Sequence, residues 1–409
     1  MKIAMMTNNY KPFIGGVPVS IERLTDSLRG MGHEVVVFAP TYENMEEEEG
    51  VVRYRSLIKS VCKGAAVPDG LDPAIERAFR TGNFDVIHVH HPMVIGWTAL
   101  YLSQKYHVPM VFTYHTRYEQ YLHYLGMSCM KDMMPAYIRA FASKCDGVIA
   151  PTPGMKEYLE EIEVETPVSV LPTGIAAEGF LPKEDRVRSL RDELAGGKKY
   201  LFCTVARLAK EKNLDFLLES LSMRKRQGNV DFRLALVGEG PEGERLKKYA
   251  KQLNLEEEIV FAGKVPNCEI KNYCAAADLF LFSSTSETQG IVSLEAMAAG
   301  TPVLAVDATG TRDIVEDGKN GYLVKESVND FTEKLNQILQ GGMPEMLCLR
   351  AGAKVTALGY SEEATAAGAV ACYRDAMERH WKKEQEKERE KTQSVHCKSA
   401  YRLRRKFLA

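Results

Sequence analysis

The chain has 409 residues, 45% of them apolar, and a formal net charge of −2 at pH 7. This length is sufficient for two domains that each bury a sizeable core, and the balanced charge gives no indication of a nucleic-acid partner. The nine cysteines form no Cys-x-x-Cys pair, which favours thiols in a reducing compartment over a disulfide framework or a zinc site. The N-terminus has no basic segment followed by a long apolar run, so we expect no signal peptide, and no apolar run is long enough to span a bilayer.

The N-terminal segment predicts one unit of a parallel, doubly wound sheet. Residues 1–6 form an apolar strand pattern, a polar loop leads into a helix over about 17–31, and a second apolar strand ends at Pro40. The Gly15-Gly16 pair would let the backbone approach a phosphate at the helix start, although such a pair is more often just a turn. It is not the Gly-x-Gly-x-x-Gly fingerprint, so NAD is disfavoured as a ligand.

Two further apolar strands end in histidines. The first, at 85–90, carries three of them at or just after its end, namely His88, His90 and His91. A metal site is an alternative for this group, but no carboxylate or cysteine stands nearby at ligand spacing. The second strand, at 109–114, delivers His115 at its carboxyl end, where open α/β sheets place their ligands. We therefore take His115 as a candidate site residue.

The same alternation restarts in the second half of the chain. A charged segment with a glycine pair, at about 176–197, is the expected hinge. Residues 200–206 are the next strand, Arg207 and Lys212 lie in the loop after it, and a helix follows with Asn213 as its N-cap. Further apolar runs predict strands at 232–237, 259–265, 277–282 and 303–306.

Residues 285–302, TSETQGIVSLEAMAAGTP, hold the main candidate site. A polar loop follows a strand, and a segment of good helix propensity then runs to Gly300. Glu287 and Glu295 have seven residues between them and would accept hydrogen bonds from hydroxyl groups, because an ionised carboxylate only accepts. A solvated loop glutamate and an ordinary helix-surface glutamate are the alternative. The free amides at the helix start would bind an anion such as a diphosphate, and they belong to Thr288, Gln289, Gly290 and Ile291.

The Glu-x7-Glu pattern in ETQGIVSLEAMAAGTPV resembles the motif of the retaining glycosyltransferases of family 4, which have the GT-B fold. The resemblance implies an α/β protein with two doubly wound, Rossmann-like domains that face each other across a cleft. We expect an acceptor-side domain over 1–185 and a nucleotide-sugar-binding domain over 190–365. A helix at 366–380 would cross back to the first domain, and a basic tail would occupy 381–409.

By the same resemblance, Glu287 meets sugar hydroxyls and Glu295 meets the ribose. The loop ARLAKEKN matches the family's Arg and Lys that hold the donor diphosphate, here Arg207 and Lys212. The remaining implied contacts are those of Val265 with the base, of the glycine pair with the donor, and of His115 with the sugar or the acceptor hydroxyl. Two fixed cations can neutralise phosphate charge, and the sequence contains no Asp-x-Asp, so we expect metal-independent activity without a cofactor.

The segment FTYHTRYEQYLHYLG resembles a pattern of diacylglycerol glucosyltransferases. The implied reaction transfers glucose from UDP-glucose to 1,2-diacylglycerol. A phosphatidylinositol mannosyltransferase that uses GDP-mannose, and a family 4 transferase with a soluble sugar acceptor, are alternatives. A nucleotide-sugar epimerase shares the two-domain fold, and a non-catalytic nucleotide-sugar-binding subunit is disfavoured by the intact set of charged site residues.

Two segments are candidates for contact with an anionic membrane surface. Residues 127–144 combine methionines with Lys and Arg and would form an amphipathic helix on acidic lipid, or else a helix whose methionine face lies in the core. From Trp381 onward the chain has ten Lys or Arg against four Glu, a net charge of +6. Such a tail can hold an anionic surface at about 1 kcal/mol per basic residue, or it is simply disordered. We expect a cytoplasmic enzyme on the inner face of the cell membrane.

Overall fold

The computed structural model describes residues 1–13, 15–43, 45, 48–61, 65–120, 132–175 and 181–407, without the side chains of 60, 61, 65, 120 and 390–407. The first domain is built on a seven-stranded parallel sheet with strand order β3-β2-β1-β6-β7-β8-β9. Beside it, β4 and β5 form a separate antiparallel pair. The strands are β1 (Lys2–Met6), β2 (Glu34–Pro40), β3 (Val51–Tyr54), β4 (Ser56–Val61), β5 (Ala65–Pro68), β6 (Val86–Val89), β7 (Met110–Thr113), β8 (Gly147–Ala150) and β9 (Val168–Val170).

Five α-helices in the described part of this domain connect these strands. They are α1 (Gly16–Gly30), α2 (Pro73–Gly82), α3 (Ile95–Tyr106), α4 (Met134–Ala142) and α5 (Pro153–Glu161). Alternate residues of β1 face opposite sides of the sheet, so Ala4 and Met6 lie in one apolar cluster while Ile3 and Met5 lie in the other. Because both faces are covered, the central strands of this domain are mainly apolar, as is typical of parallel sheets.

The second domain repeats the design with a six-stranded parallel sheet of order β12-β11-β10-β13-β14-β15. Its strands are β10 (Tyr200–Val205), β11 (Phe232–Val237), β12 (Ile259–Gly263), β13 (Leu279–Phe282), β14 (Val303–Val306) and β15 (Gly321–Val324). Its helices are α6 (Glu184–Ala195), α7 (Leu214–Arg226), α8 (Gly243–Gln252), α9 (Asn267–Ala276), α10 (Ile291–Ala298), α11 (Val328–Gln340) and α12 (Gly342–Leu358). The predicted α/β architecture with two doubly wound sheets is confirmed.

The prediction of a hinge over 176–197 is wrong for much of that range, because helix α6 occupies residues 184–195. Leu190 and Leu194 of α6 are buried in the same apolar cluster as Leu201 and Cys203 of β10. The helix is amphipathic, and the charged residues that suggested a hinge lie on its solvent-facing side. Residues 184–195 therefore pack as part of the second domain, and residues 176–180 lie outside the described part of the chain.

The C-terminal helix α13 (Glu362–Phe407) begins beside the second domain and lies on the first. Ala369, Tyr373 and Ala376 are buried in a cluster with Ile3 and Met5. The backbone of α13 is helical up to Phe407, so the basic tail is a continuation of this helix. Among the described residues, no helix has both the length and the apolar character needed to cross a bilayer.

The chain passes between the two domains twice, and the two passages lie side by side. Ile175 in the first passage bridges to Ser361 in the second, and the Ile175 amide donates to the carbonyl of Tyr360 at 2.8 Å. A Cβ on Gly174 would lie 2.6 Å from the Cα of Glu362. Only glycine therefore permits this approach of the two passages.

Candidate active site

A cleft of about 1400 Å³ separates the two domains, and all twelve predicted site residues line it. They come from the loops and helix starts that follow β1, β7, β10, β12 and β13, where each strand reaches the carboxyl edge of its sheet. Ligand crevices form at that edge where the strand order reverses. The residues are Gly15, Gly16, His115, Arg207, Lys212, Val265, Glu287, Thr288, Gln289, Gly290, Ile291 and Glu295.

The start of helix α10 faces this cleft. Gly290 is its N-cap residue with φ of 73°, a left-handed conformation that suits glycine, and the helix has no side-chain cap. Helices leave their first amides without intrahelical acceptors. The first amides of α10 therefore lie beside the cleft, and their binding of an anion stays a prediction.

The side chains of Thr288 and Gln289 serve a different purpose from the predicted anion site. Gln289 is buried; its Oε1 accepts from the Thr173 amide at 2.8 Å, and its Nε2 donates to the Thr173 carbonyl at 3.0 Å. The Thr288 hydroxyl donates to the carbonyl of His115 at 2.8 Å. Both side chains join the two domains, so only the backbone of these residues is directed to a ligand.

Lys212 and Glu287 form an ion pair inside the cleft, with Nζ and Oε1 2.5 Å apart. Burial of Glu287 opposes its ionisation, but the charge and hydrogen bond of Lys212 outweigh burial and lower the pKa of the carboxyl. Glu287 is therefore ionised at neutral pH and can only accept hydrogen bonds. This state suits a carboxylate that binds hydroxyl groups.

Arg207 differs from Lys212 because its guanidinium is exposed at the cleft wall. Within the described residues it forms no hydrogen bond or ion pair. A cation in this position can bind a phosphate without first breaking a protein contact, which costs less than displacing a carboxylate partner.

Arg23 is a cleft residue that the sequence reasoning missed. It lies on α1 and donates to Glu295 Oε1 at 2.7 Å, and its Nε lies 3.7 Å from a carboxylate oxygen of Glu362. Burial of Glu295 outweighs the effect of Arg23 and raises the pKa of its carboxyl. A signal was present in the sequence, because Arg23 follows the predicted site residue Gly16 by about two helical turns and so shares its face of α1.

His115 is one of four histidines packed at the carboxyl end of the first sheet. Its Nε2 lies 2.8 Å from Nδ1 of His90. His88 contacts the hydroxyls of Tyr373 at 2.8 Å and Thr113 at 2.6 Å. Nδ1 of His91 lies 3.3 Å from the hydroxyl of Thr7 and accepts from the Asn8 amide at 3.2 Å.

Burial lowers the pKa of all four imidazoles, to about 3 for His88 and about 4 for His91. They are therefore neutral at physiological pH. The described residues contain no group of three or more side chains placed to hold a metal ion. The metal alternative for these histidines thus has no support in their geometry.

Two other predictions concern local structure. Asn213 stands at the N-cap position of α7, but its φ is 51° and its side chain makes no cap. Its side-chain Nδ2 donates to Oε1 of Glu326 at 2.7 Å instead. In α4, Met134, Ile138 and Phe141 are buried, so the apolar face of that helix packs into the core. The lipid-facing methionine surface expected over 127–144 is therefore wrong for Met134, and 121–131 lie outside the described residues.

Val265 follows β12 in the loop at the cleft wall and packs partly against the second domain's apolar cluster. Its contact with a base remains a prediction from resemblance. Lys264, Lys271 and Glu239 lie in the same cleft wall and were not predicted.

Comparison with known proteins identifies the family. Residues 14–178 match the family described as Glycosyltransferase Family 4, and residues 185–354 match Glycosyl transferases group 1. An alpha-monoglucosyldiacylglycerol synthase of Streptococcus pneumoniae is 31% identical over 334 residues, which cover 79% of this chain and 75% of the relative. The chain belongs to glycosyltransferase family 4. This glycosyltransferase is a hexosyltransferase with the GT-B fold.

Other relatives and structures extend the comparison. An enzyme of the same name from Acholeplasma laidlawii is 28% identical to the glycosyltransferase and covers 94% of the chain and 99% of its own length. A GDP-mannose-dependent alpha-mannosyltransferase of Corynebacterium glutamicum is 26% identical, covering 82% of the chain and 79% of the relative. The crystal structure of sucrose-phosphate synthase from Thermosynechococcus elongatus superposes with a TM-score of 0.77 at 21% identity, covering 91% and 98% of the two chains. Anabaena HepE in complex with UDP gives 0.72 at 19% identity, covering 91% and 99%.

Proposed function

We propose that this glycosyltransferase transfers glucose from UDP-glucose to 1,2-diacylglycerol with retention of the anomeric configuration. The observation that carries the proposal is the similarity to two alpha-monoglucosyldiacylglycerol synthases, one of which is matched over 99% of its length. The charged groups of the cleft are of the types that this reaction needs.

The donor diphosphate would lie against Arg207, Lys212 and the amides at the start of α10. As the bond from the sugar to the diphosphate breaks, negative charge grows on the leaving group, and these donors stabilise it most at that stage. Two cations and a helix start supply positive charge that other enzymes take from a divalent ion. We therefore propose turnover that does not depend on a metal.

The two carboxylates and His115 would orient the reacting partners. Glu287 is ionised, and it would accept from sugar hydroxyls once Lys212 turns to the phosphate. Glu295 would accept from the ribose hydroxyls in place of Arg23. His115 would bind a hydroxyl of the sugar or the acceptor, which holds the reacting atoms in a productive geometry.

A lipid acceptor is supported by exposed apolar side chains on the first domain. Trp97 and Tyr101 lie one helical turn apart on α3, Val94 is the N-cap residue of that helix, and Trp97 is 53% exposed. Leu71 and Met133 are also exposed. Amphipathic aromatic side chains suit the boundary between water and lipid. With the basic end of α13, this surface supports peripheral docking on an anionic, cytoplasmic membrane face.

A mannosyl donor is the second candidate, because GDP-mannose-dependent mannosyltransferases are also among the relatives. Among the described residues that line the cleft, we identify none that selects uracil over guanine. A direct comparison of donors therefore separates the two candidates.

The test uses the full chain, diacylglycerol in mixed micelles, and radiolabelled UDP-glucose, UDP-galactose or GDP-mannose in parallel. We expect label in the lipid phase with UDP-glucose; mild base, which cleaves the acyl esters and spares the glycosidic bond, should then convert this product to water-soluble, labelled glucosylglycerol. The Arg207→Ala variant should lose this activity, whereas Arg312→Ala, an exposed arginine paired with Asp307, should keep it. Label from GDP-mannose alone, or label only in water-soluble products, would overturn the proposal.

A further inference from the structure

Behind His115 lies a short chain of contacts that the proposed reaction does not use. Nδ1 of His90 lies 2.8 Å from Nε2 of His115, and Nε2 of His90 lies 3.3 Å from the sulfur of Met5. Met5 and His90 are both buried in the first domain. The three side chains come from β1, from the residue after β6, and from the second residue after β7.

The sulfur of Met5 decides the direction of these hydrogen bonds. A thioether can only accept, so the contact is a hydrogen bond only when Nε2 of His90 carries the hydrogen. A neutral imidazole has one N–H, so Nδ1 of His90 accepts, and Nε2 of His115 is the donor. The single N–H of neutral His115 is then at Nε2, where it donates to His90.

We propose that Met5 and His90 are positioning residues that hold His115 as its Nε2–H tautomer, so that Nδ1 of His115 presents a lone pair to a substrate hydroxyl. Within the described part of the chain, Nδ1 of His115 has no hydrogen-bond partner, and His115 lines the cleft. The backbone of His115 is also held, because Thr288 donates to the His115 carbonyl at 2.8 Å.

The groups around His90 are compatible with a hydrogen at its Nε2 and a lone pair at its Nδ1. The ring of His88 packs 4.1 Å from that of His90, but both nitrogens of His88 are engaged with Tyr373 and Thr113. The opposite tautomer of His90 would place the Nε2 lone pair against sulfur, where no hydrogen is available. A doubly protonated His90 would be a buried cation, and burial lowers the pKa of that imidazole.

The consequence is a one-way hydrogen bond to the substrate. A hydroxyl would donate to Nδ1, which leaves more electron density on its oxygen; the reverse bond, from His115 to the substrate, is excluded. This inference rests on the proposed placement of a hydroxyl beside His115. The tautomer itself, however, is a property of the protein without ligand and can be measured without any activity.

The first experiment is long-range ¹H–¹⁵N correlation spectroscopy of full-length protein labelled at the histidine ring nitrogens. We expect His115 and His90 each to be protonated at Nε2 and unprotonated at Nδ1. Met5→Leu removes the acceptor with little change in volume, a type of core change that costs less than about 1.5 kcal/mol. It should give mixed tautomers at both histidines. Met6→Leu is the matched control, because Met6 is the next residue of β1 and faces the opposite cluster; its spectrum should match the wild type.

A second measurement concerns activity. His90→Asn keeps an acceptor near the position of Nδ1 and should retain most of the kcat, whereas His90→Ala should lower kcat by at least about tenfold. Protonation of His115 at Nδ1 in the wild type would overturn the inference, as would unchanged tautomers in Met5→Leu. If the tautomers are as expected but no donor gives a product, the proposed function fails and the positioning role stands.

Discussion

Arg23 of α1 and Glu295 of α10 form an ion pair of 2.7 Å that joins the two domains across the cleft. Glu295 is also the carboxylate expected to bind the ribose of the donor. Arg23 engages Oε1 of Glu295, so a ribose that took this oxygen would release Arg23 toward Glu362, whose carboxylate already lies 3.7 Å away. Occupancy of the proposed nucleotide site would then be linked to the contact between the domains.

The first prediction concerns nucleotide affinity. Glu295→Gln should weaken binding of UDP roughly tenfold, because a hydrogen bond to a charged group contributes about 1.5–3 kcal/mol and the amide retains only part of it. Isothermal titration calorimetry with UDP measures this. Glu316→Gln, an exposed residue paired with Lys319, is the control, and equal affinities in the two variants would contradict the ribose role.

The second prediction separates stability from donor binding at the Lys212–Glu287 pair. Lys212→Met should destabilise the protein by about 1–3 kcal/mol, because Glu287 then has a partly buried charge without this partner. It should also remove activity. Lys212→Met combined with Glu287→Gln should recover most of the stability and none of the activity. Urea unfolding and label transfer to lipid give the two quantities. If the double variant were as unstable as the single variant, the ion pair would not be the cause.

The third prediction concerns pH and the attachment of α13 to the first domain. Asp146 Oδ2 accepts from the Met110 amide at 3.1 Å and lies 2.9 Å from Nδ1 of His380, and Lys383 lies 3.4 Å from Oδ1. Burial opposes ionisation of Asp146, but these partners outweigh it and lower its pKa from the ordinary 3.8. A carboxyl with a lowered folded-state pKa stabilises the fold above its unfolded-state pKa, and this contribution is lost as pH falls through the folded-state value.

Asp146→Asn should therefore lower the free energy of unfolding by about 1–3 kcal/mol at neutral pH. The difference from wild type should shrink as pH falls below 3.8. Denaturant unfolding at several pH values measures the difference, with the exposed Asp192→Asn as the control. A difference that stayed constant into acid would show that the charge of Asp146 is not responsible.

The fourth prediction compares two glycines near the start of α10. Both have positive φ, 73° at Gly290 and 84° at Gly310. A Cβ on Gly290 would meet nothing closer than 3.9 Å, whereas a Cβ on Gly310 would lie 2.6 Å from the carbonyl oxygen of Glu287. Gly290→Ala should therefore cost only the backbone strain, about 1–2 kcal/mol.

Gly310→Ala should have the larger effect, because it also displaces the backbone that carries Glu287 and Thr288. We expect a higher KM for the donor and a lower kcat in this variant than in Gly290→Ala. Steady-state kinetics with purified proteins of equal folded fraction provide the comparison. Equal kinetics in the two variants would rule out a positioning effect of Gly310 on the loop.

The sequence predicts both sheets because their strands are apolar runs that each end in a polar loop. Four consecutive buried residues in β13 illustrate the signal. The same pattern locates the cleft residues, since loops at the carboxyl ends of parallel strands converge. The strand ends near His115, Arg207 and Glu287 can be predicted from the local sequence alone, without information from the rest of the chain.

Contacts between the domains left no comparable signal. Gln289 reads as part of an anion-binding loop, but its side chain bonds to Thr173, which is 116 residues away. The partner of Arg23 is 272 residues away. Local patterns record which face of an element is apolar, and they do not record which polar groups meet when two domains are brought together. Helix α6 was missed for a related reason, because its many charges concealed the spacing of Leu190 and Leu194.

The paired passages at Ile175 and Ser361 limit how the two lobes can swing. If a single chain segment joined the domains, they could rotate relative to each other in any direction. Two adjacent segments, hydrogen-bonded to each other, permit rotation of the domains mainly about the line that runs through both segments. Substrate entry and product release would then follow one opening path. Arg23, whose Nη1 donates to the Gly174 carbonyl at 3.4 Å, lies beside that line and extends from it to Glu295 in the cleft.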